Sequence, residues 1–132
     1  MNYPSFFNLD NKEHKKLSLE RIIKSLKSLG LSQSDAQVYI YLATTGPKKA
    51  KDMSNALRIN KRQVYRSLKR LRNKGITTIN DERPFEFTAL PFDMVLDLLM
   101  EVKRKAAKAL QASKEELISD LRAEEKKSNS RS

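Results

Sequence analysis

Apolar residues recur at three- and four-residue spacing through the first half of the chain, a pattern that predicts amphipathic helices. The spacing predicts one helix over 16–29 and a second that opens at Ser32. A short third helix follows over 50–57. A fourth is predicted over 61–74, and Asn60 directly before it is a favoured N-cap residue. Four helices therefore precede any strand.

The pattern then changes to short runs rich in β-branched and aromatic residues. Residues 76–79 and 85–89 are predicted to form two strands joined by the loop 80–84. From Pro91 the helical spacing returns and continues to about residue 123, which predicts a helix on the order of 50 Å long. This order predicts a mainly α fold, a winged helix-turn-helix with a two-stranded β wing and a long C-terminal dimerisation helix.

The 132 residues are enough for one small domain with a modest core. We expect a flexible N-terminal arm over 1–15 and the winged helix-turn-helix DNA-binding domain over 16–90. The dimerisation helix is expected over 91–123, followed by a disordered polar tail over 124–132.

Positive charge is concentrated in the fourth helix. The chain holds 27 Lys and Arg against 16 Asp and Glu, a net charge of +11. Seven of these bases lie in 61–74, which contains no Asp or Glu. A solvated helix usually mixes signs to gain ion pairs one turn apart, so an unmixed basic helix favours a polyanionic partner, with double-stranded DNA first.

The composition disfavours several other classes of function. No cysteine is present, which excludes disulfides and thiolate metal sites, and His14 is the single histidine. We therefore expect no metal, no cofactor, no catalytic residues and no enzyme activity. No stretch has the roughly 18 apolar residues of a membrane span, and the first 30 residues lack the apolar core of a secretion signal. We expect no membrane partner and a cytoplasmic protein associated with chromosomal DNA.

The fourth helix has the two faces of a recognition helix. At 100° per residue, Leu68 and Leu71 fall within about 40° of Val64 and form the core side. Arg62 and Arg66 fall about 160° and 200° from Val64, on the opposite side. Guanidinium and amide groups read base edges in the major groove, mainly from the first turns of such a helix. The predicted base contacts are Lys61, Arg62, Gln63 and Arg66.

Other basic side chains are better placed to contact the phosphates of the DNA backbone. The predicted phosphate contacts are Lys69, Arg70, Arg72 and Lys74 on the fourth helix, Lys48, Lys49 and Lys51 around the start of the third, and Arg83 in the wing. Asp81 and Glu82 beside Arg83 repel DNA, so its contact is expected to be weak, and a solvated turn is the alternative. The tyrosines are predicted to be core residues rather than nucleic-acid stackers: Tyr39, Tyr41 and Tyr65.

The last helix carries an apolar stripe that is too long for so small a domain to cover. We expect a second copy to cover it, in an antiparallel or crossed helix pair that places two half-sites about one helical turn apart. The alternative is one helix folded back on its own domain. The predicted dimerisation residues are Leu96, Leu99, Ala106, Leu110, Leu117 and Leu121.

Several short motifs recur in the order and spacing of one known family. They are Leu29-Gly30-Leu31-Ser32, Asp35-Ala36, Val38-Tyr39, Gly46-Pro47, Ala50-Lys51-Asp52, Val64-Tyr65, Lys74-Gly75, Arg83-Pro84 and Ala89-Leu90-Pro91. With them, residues 26–100 resemble the winged-helix domain of the TrmB family of archaeal transcriptional regulators. The resemblance implies a DNA-binding regulator that is dimeric through a helix after the wing.

The sequence departs from the family pattern at three points. Lys49 stands where the family commonly has a Ser or Thr cap, which should weaken the start of the third helix by about 1 kcal/mol. Arg58 stands where a turn glycine is common, so Arg58 is expected at positive φ. Larger members carry a C-terminal sugar-binding domain that these 132 residues do not include, so the resemblance is to a short form without it and implies no sugar effector.

Three functions therefore remain in competition. The first is a sequence-specific transcriptional regulator that binds double-stranded DNA as a homodimer, with helix 61–74 in the major groove. The second is an architectural nucleoid protein of low sequence specificity. The third is a winged-helix adaptor for other proteins, which the acid-free basic helix disfavours. The operator, the target genes and the direction of regulation do not follow from the sequence.

Overall fold

A computed structural model describes residues 12–130, which form five helices and a two-stranded sheet. The helices are α1 (Lys12–Ser28), α2 (Gln33–Thr45), α3 (Ala50–Leu57), α4 (Lys61–Asn73) and α5 (Phe92–Ser130), and the strands are β1 (Thr77–Ile79) and β2 (Phe87–Ala89). The predicted winged helix-turn-helix fold is confirmed. The chain forms two compact units that divide inside α5, between Asp97 and Leu98, rather than at Pro91.

The expected flexible arm is shorter than predicted, because α1 already begins at Lys12. The rest of the predicted arm, residues 1–11, lies outside the described part of the chain. Along α1 the apolar stripe predicted from the spacing is buried at Ile23 and Leu26. That stripe fixes α1 onto the winged domain.

Helix α2 lies at the centre of the winged domain. Its N-cap is Ser32, as predicted, and the Ser32 hydroxyl accepts a hydrogen bond from the backbone N–H of Asp35 at 3.1 Å. Val38 and Tyr39 are almost completely buried. The Tyr39 hydroxyl donates a 2.7 Å hydrogen bond to the carbonyl oxygen of Leu90, which ties α2 to the chain beyond the wing.

Helices α3 and α4 form the helix-turn-helix. The turn depends on Arg58, whose left-handed backbone (φ 56°, ψ 39°) confirms the expected positive φ. The Ser54 hydroxyl donates a 2.6 Å hydrogen bond to the carbonyl oxygen of Ile59 and closes the turn. At the other end of α3, Lys49 provides no side-chain cap, as expected.

The wing is an antiparallel hairpin in which Thr77 pairs with Ala89. Both strands are shorter than predicted. The second begins at Phe87 because the Glu86 N–H donates to the Asn80 side chain at 2.8 Å rather than to the strand. The Lys48 backbone forms an isolated bridge to Phe87, with N–O distances of 3.1 and 2.8 Å. The hairpin is thereby anchored to the start of α3.

Helix α5 extends farther than the sequence predicted. It has 39 residues, which makes it about 58 Å long, and it ends at Ser130. The expectation of a disordered tail over 124–132 is thus wrong for 124–130, and residues 131 and 132 lie outside the described part. The tail continues the helix because Glu and Lys are strong helix formers, and Lys127 Nζ lies 3.4 Å from Glu124 Oε1.

Candidate nucleic-acid interface

The apolar stripe of α4 faces the core, and its basic side chains face solvent. Val64, Leu68 and Leu71 are buried, as the spacing predicted, and Ser67 is buried beside them. All other side chains of this helix are exposed, including those predicted to contact bases: Lys61, Arg62, Gln63 and Arg66. The helix therefore presents one continuous polar face.

The start of α4 is arranged to meet an anion. Asn60 Oδ1 accepts a 2.8 Å hydrogen bond from the Gln63 backbone N–H and so caps the start of α4. No acidic residue lies in the first turn. The positive end of the helix dipole and the bases at Lys61 and Arg62 thus add to the same local potential.

Arg70, predicted to contact phosphate, has an acidic partner on α2 that opposes its charge. Its Nε lies 3.0 and 3.1 Å from the two Asp35 carboxylate oxygens, and its terminal nitrogen lies 2.8 Å from one of them. The Ser67 hydroxyl lies 3.2 Å from the same nitrogen. Arg70 therefore fixes α4 onto α2, and local sequence spacing does not predict this pair because the partner lies 35 positions earlier.

The Asp35 carboxylate is buried, with 2% of the residue exposed. Burial raises its pKa, but hydrogen bonds from Arg70, Ser67 and Ser32 and the positive charge of Arg70 outweigh burial, so the pKa is lowered from 3.8. The side chain is charged at neutral pH and cannot leave its partner without a large penalty. The only sequence signal for this role is an acid among the apolar positions of α2.

Tyr65 is exposed rather than buried, which corrects its assignment to the core. The residue is 49% exposed, and Lys61 Nζ lies 6.0 Å from the centroid of its ring. Its helical-wheel position, about 100° from Val64, already placed it outside the core stripe. Tyr39 and Tyr41 are buried, as predicted.

The other predicted phosphate contacts divide by exposure. Lys69 and Arg72 on α4 are exposed, as is Lys74 directly after it, and so are Lys49 and Lys51 at the start of α3. Lys48 is half-buried, because its backbone pairs with Phe87 in the wing.

The tip of the wing carries one base among acids. Arg83 is exposed, and its guanidinium carbon lies 5.6 Å from the ring centroid of Phe85. Asp81 and Glu82 beside it are also exposed. The positive potential of the wing is therefore much weaker than that of α4.

The predicted dimerisation residues of α5 are not equivalent. Leu99 is buried within the chain, with 3% exposed, so it is not available to a partner, and Leu96 is half-buried. The remaining residues of the predicted set are exposed: Ala106, Leu110, Leu117 and Leu121. Val102 extends this exposed stripe.

Within the described residues, no cluster of three His, Asp or Glu side chains is placed to hold a metal ion. None of the described helices is long and apolar enough to cross a lipid bilayer.

Comparison with known protein families matches residues 26–93 to the model described as "Sugar-specific transcriptional regulator TrmB". The match covers more than half of the chain. This chain belongs to the TrmB family. The resemblance inferred from the sequence motifs is thereby confirmed over a range close to the expected one.

One TrmB relative is the HTH-type sugar sensing transcriptional regulator TrmBL1 of Pyrococcus furiosus, which is 26% identical over 106 residues. The alignment covers 80% of this chain but only 31% of that protein. The chain thus spans about a third of the length of this relative.

Solved structures support the fold. TrmBL2, described as an archaeal chromatin protein with a novel mode of DNA binding, aligns with a TM-score of 0.69 at 17% identity, over 79% of this chain and 40% of that one. The transcriptional regulator Tm0710 from Thermotoga maritima aligns with a TM-score of 0.53 at 19% identity, over 90% and 91%. At these identities the likeness concerns the winged-helix fold alone.

Proposed function

We propose that this protein is a transcriptional regulator that binds double-stranded DNA sequence-specifically as a homodimer, with α4 in the major groove. The observation that carries the proposal is the exposed, acid-free face of α4, whose apolar stripe is buried on the opposite side. Membership in a family of transcriptional regulators agrees with it. No catalytic role is proposed for any residue.

Within this proposed interface, one set of residues contacts the DNA bases and another set contacts the phosphates. Arg62, Gln63 and Arg66 in the first turns supply the bidentate groups that read guanine and adenine edges, with Lys61 beside them. The proposed phosphate contacts are Lys49, Lys51, Lys69, Arg72 and Lys74, with minor ones from Lys48 and Arg83. Arg70 leaves this set because Asp35 holds it.

The proposal is tested by titrating the protein with fragments selected from a random duplex library, against random DNA as competitor, at several salt concentrations. We expect selected DNA to bind at least a thousandfold more tightly than random DNA at physiological salt. Replacing Arg62 or Arg66 by Ala should cost about 1–3 kcal/mol on the selected site and much less on random DNA. Equal losses on both would contradict base readout by α4.

The same titration distinguishes the architectural alternative. A nucleoid protein would bind selected and random DNA with nearly equal affinity and steep salt dependence. TrmBL2 is described as an archaeal chromatin protein, and its fold resembles this one. The two guanidinium groups near the start of α4, those of Arg62 and Arg66, can bind base edges in a bidentate way and therefore favour specific recognition here.

The homodimer is inferred from the exposed apolar stripe of α5. Leu110 and Leu121 are each 62% exposed, and Leu117 is 51% exposed. An antiparallel register that sets Ala106 opposite Leu117 also sets Val102 opposite Leu121 and Lys103 opposite Asp120. Lys103, which lies beside Val102 of the stripe, then has an acidic partner in the second copy, which favours this register.

Sedimentation equilibrium at micromolar concentration tests the dimer. We expect a species of twice the 15.2 kDa chain mass, and a shift to the monomer in Leu110→Glu and Leu117→Glu. Leu17→Glu is the matched control, because Leu17 is 59% exposed but lies outside α5. A 15.2 kDa species in the unmodified protein would exclude the helix-mediated dimer.

A further inference from the structure

Tyr65 is the large exposed aromatic side chain on the proposed recognition helix, and its position among cations suggests a partner. The ring is about half exposed, and Lys61 Nζ lies over it at 6.0 Å from the centroid. Lys69 is one helical turn later, so the ring lies between two exposed lysines on one flank of α4. A polyanion that binds both Lys61 and Lys69 would therefore also contact the Tyr65 ring.

The wheel position of Tyr65 is comparable to that of a predicted base-reading residue. The exposed face is centred between Arg62 and Arg66, about 180° from Val64. Tyr65 lies about 80° to one side of this centre, and Gln63 lies about 80° to the other side. Both belong to the first two turns, the part of a recognition helix that enters the major groove.

The chemistry of the ring selects one feature of the groove. Most base edges there present hydrogen-bond donors and acceptors, whereas thymine presents a C5-methyl group. A partly exposed aromatic ring held by a cation offers an apolar surface that fits a methyl group and loses little conformational entropy on contact. We propose that Tyr65 contacts a thymine methyl group and so gives recognition a preference for thymine, an inference that rests on the proposed DNA binding of α4.

The experiment compares thymine with uracil, which differs only by the missing methyl group. The probe is the tightest-binding 30-bp duplex recovered from a random library by the unmodified protein, synthesised once with thymine and once with deoxyuridine throughout. Removal of one buried methyl contact should weaken binding about fourfold. We therefore expect the thymine duplex to bind about fourfold more tightly for each Tyr65 that makes the contact.

Three variants test whether the Tyr65 ring causes the difference in affinity between the thymine and uracil duplexes. Tyr65→Ala should bind both duplexes with the same affinity, whereas Tyr65→Phe should keep the thymine preference because the ring remains. Lys69→Ala is the matched control, since Lys69 lies one turn away, is also exposed, and its loss should weaken binding to both duplexes alike. Thermal unfolding checks that each variant is folded.

The possible outcomes separate this inference from the function on which it rests. If the unmodified protein binds no duplex, the proposed function fails and this inference fails with it. If it binds thymine and uracil duplexes equally, or if Tyr65→Ala keeps the preference, only the inference about Tyr65 is wrong. If Tyr65→Phe loses affinity as Tyr65→Ala does, the hydroxyl group makes the contact and the methyl proposal is overturned.

Discussion

A bidentate ion pair gives Arg70 a role different from that of its basic neighbours on α4. Its charge is opposed by the buried Asp35 carboxylate, whereas the Arg72 side chain is exposed in the last turn of α4. At the scale of single residues, equal formal charge therefore does not mean an equal contribution to DNA binding. We therefore expect Arg70 to contribute to the position of α4 and Arg72 to contribute to phosphate binding.

Arg70→Gln should accordingly reduce stability and leave the number of phosphate contacts unchanged. Loss of the hydrogen bonds to a charged, buried partner should lower the free energy of unfolding by about 2–3 kcal/mol, measured in urea. The slope of log affinity against log salt should not change. Arg72→Gln, the matched control, should keep the stability and reduce the slope by about 0.9. If both variants reduced the slope of log affinity against log salt equally, Arg70 would also contact phosphate and this account of Arg70 would be wrong.

The Asp35 carboxylate should also make stability depend on pH. Its pKa is lowered in the folded state from 3.8, so the folded protein binds the proton more weakly than the unfolded chain. The stabilisation is complete above the unfolded pKa and is lost as the pH falls through the folded pKa. The stability advantage of the native chain over Asp35→Asn, measured in urea from pH 7 to pH 2, should therefore shrink below about pH 4. A constant difference over this range would contradict the charged pair.

At the scale of elements, α5 carries the exposed apolar stripe that a second copy of the chain would bury. Its exposed leucines lie on one stripe, and the antiparallel register opposes Lys103 and Asp120 at both ends of the paired region. These groups are separated from the helix-turn-helix in sequence by the whole wing. The proposed pairing of α5 and the proposed DNA recognition by α4 should therefore be separable by mutation.

Charge reversal tests the antiparallel register. Lys103→Asp alone places two acids opposite each other and should weaken dimerisation several-fold, measured by sedimentation equilibrium. The double variant Lys103→Asp with Asp120→Lys should recover most of the loss, because the pairs are restored with opposite sign. Lys114→Asp is the control, since this register gives it no acid to oppose. A double variant no better than the single one would indicate another register.

The elements differ in how far the sequence could predict them. The sequence predicts the recognition helix of the helix-turn-helix from its N-cap Asn60, its apolar stripe and Gly75 after its end. These are local signals, because capping residues and 3.6-residue spacing depend only on neighbouring positions. The sequence pattern predicts too early an end for α5, because a polar tail is also typical of disorder, whereas its Glu and Lys residues favour helix. The Asp35–Arg70 pair was not predictable from local spacing, because tertiary packing of α2 against α4 creates it.

At the scale of the whole molecule, the proposed dimer makes DNA binding bivalent. Each copy offers one α4, so an operator with two half-sites engages both, and the second contact forms at high effective concentration. Specificity then depends on half-site spacing as well as on base contacts. The sequence alone indicated this arrangement through the length of the last helix, but not the register of the pairing.

A monomeric variant should lose the benefit of the second half-site. The native protein should bind a duplex with both half-sites at least tenfold more tightly than a duplex with one. Leu117→Glu should bind the two duplexes alike, with the affinity that the native protein shows for a single half-site, measured by fluorescence anisotropy. An advantage that survives in Leu117→Glu would show that the apolar stripe does not hold the two copies together.

The left-handed backbone of Arg58 has a consequence for heat tolerance. An L-residue in this conformation costs on the order of 1 kcal/mol that glycine does not incur, and Arg58 is exposed, so no buried contact offsets the cost. Arg58→Gly should raise the midpoint of thermal unfolding by about 2–4 °C in calorimetry, and Arg72→Gly, in a right-handed turn of α4, should lower it. A midpoint that falls in Arg58→Gly would contradict this account. A single substitution in the turn between α3 and α4 should therefore increase thermal stability without altering the exposed face of α4.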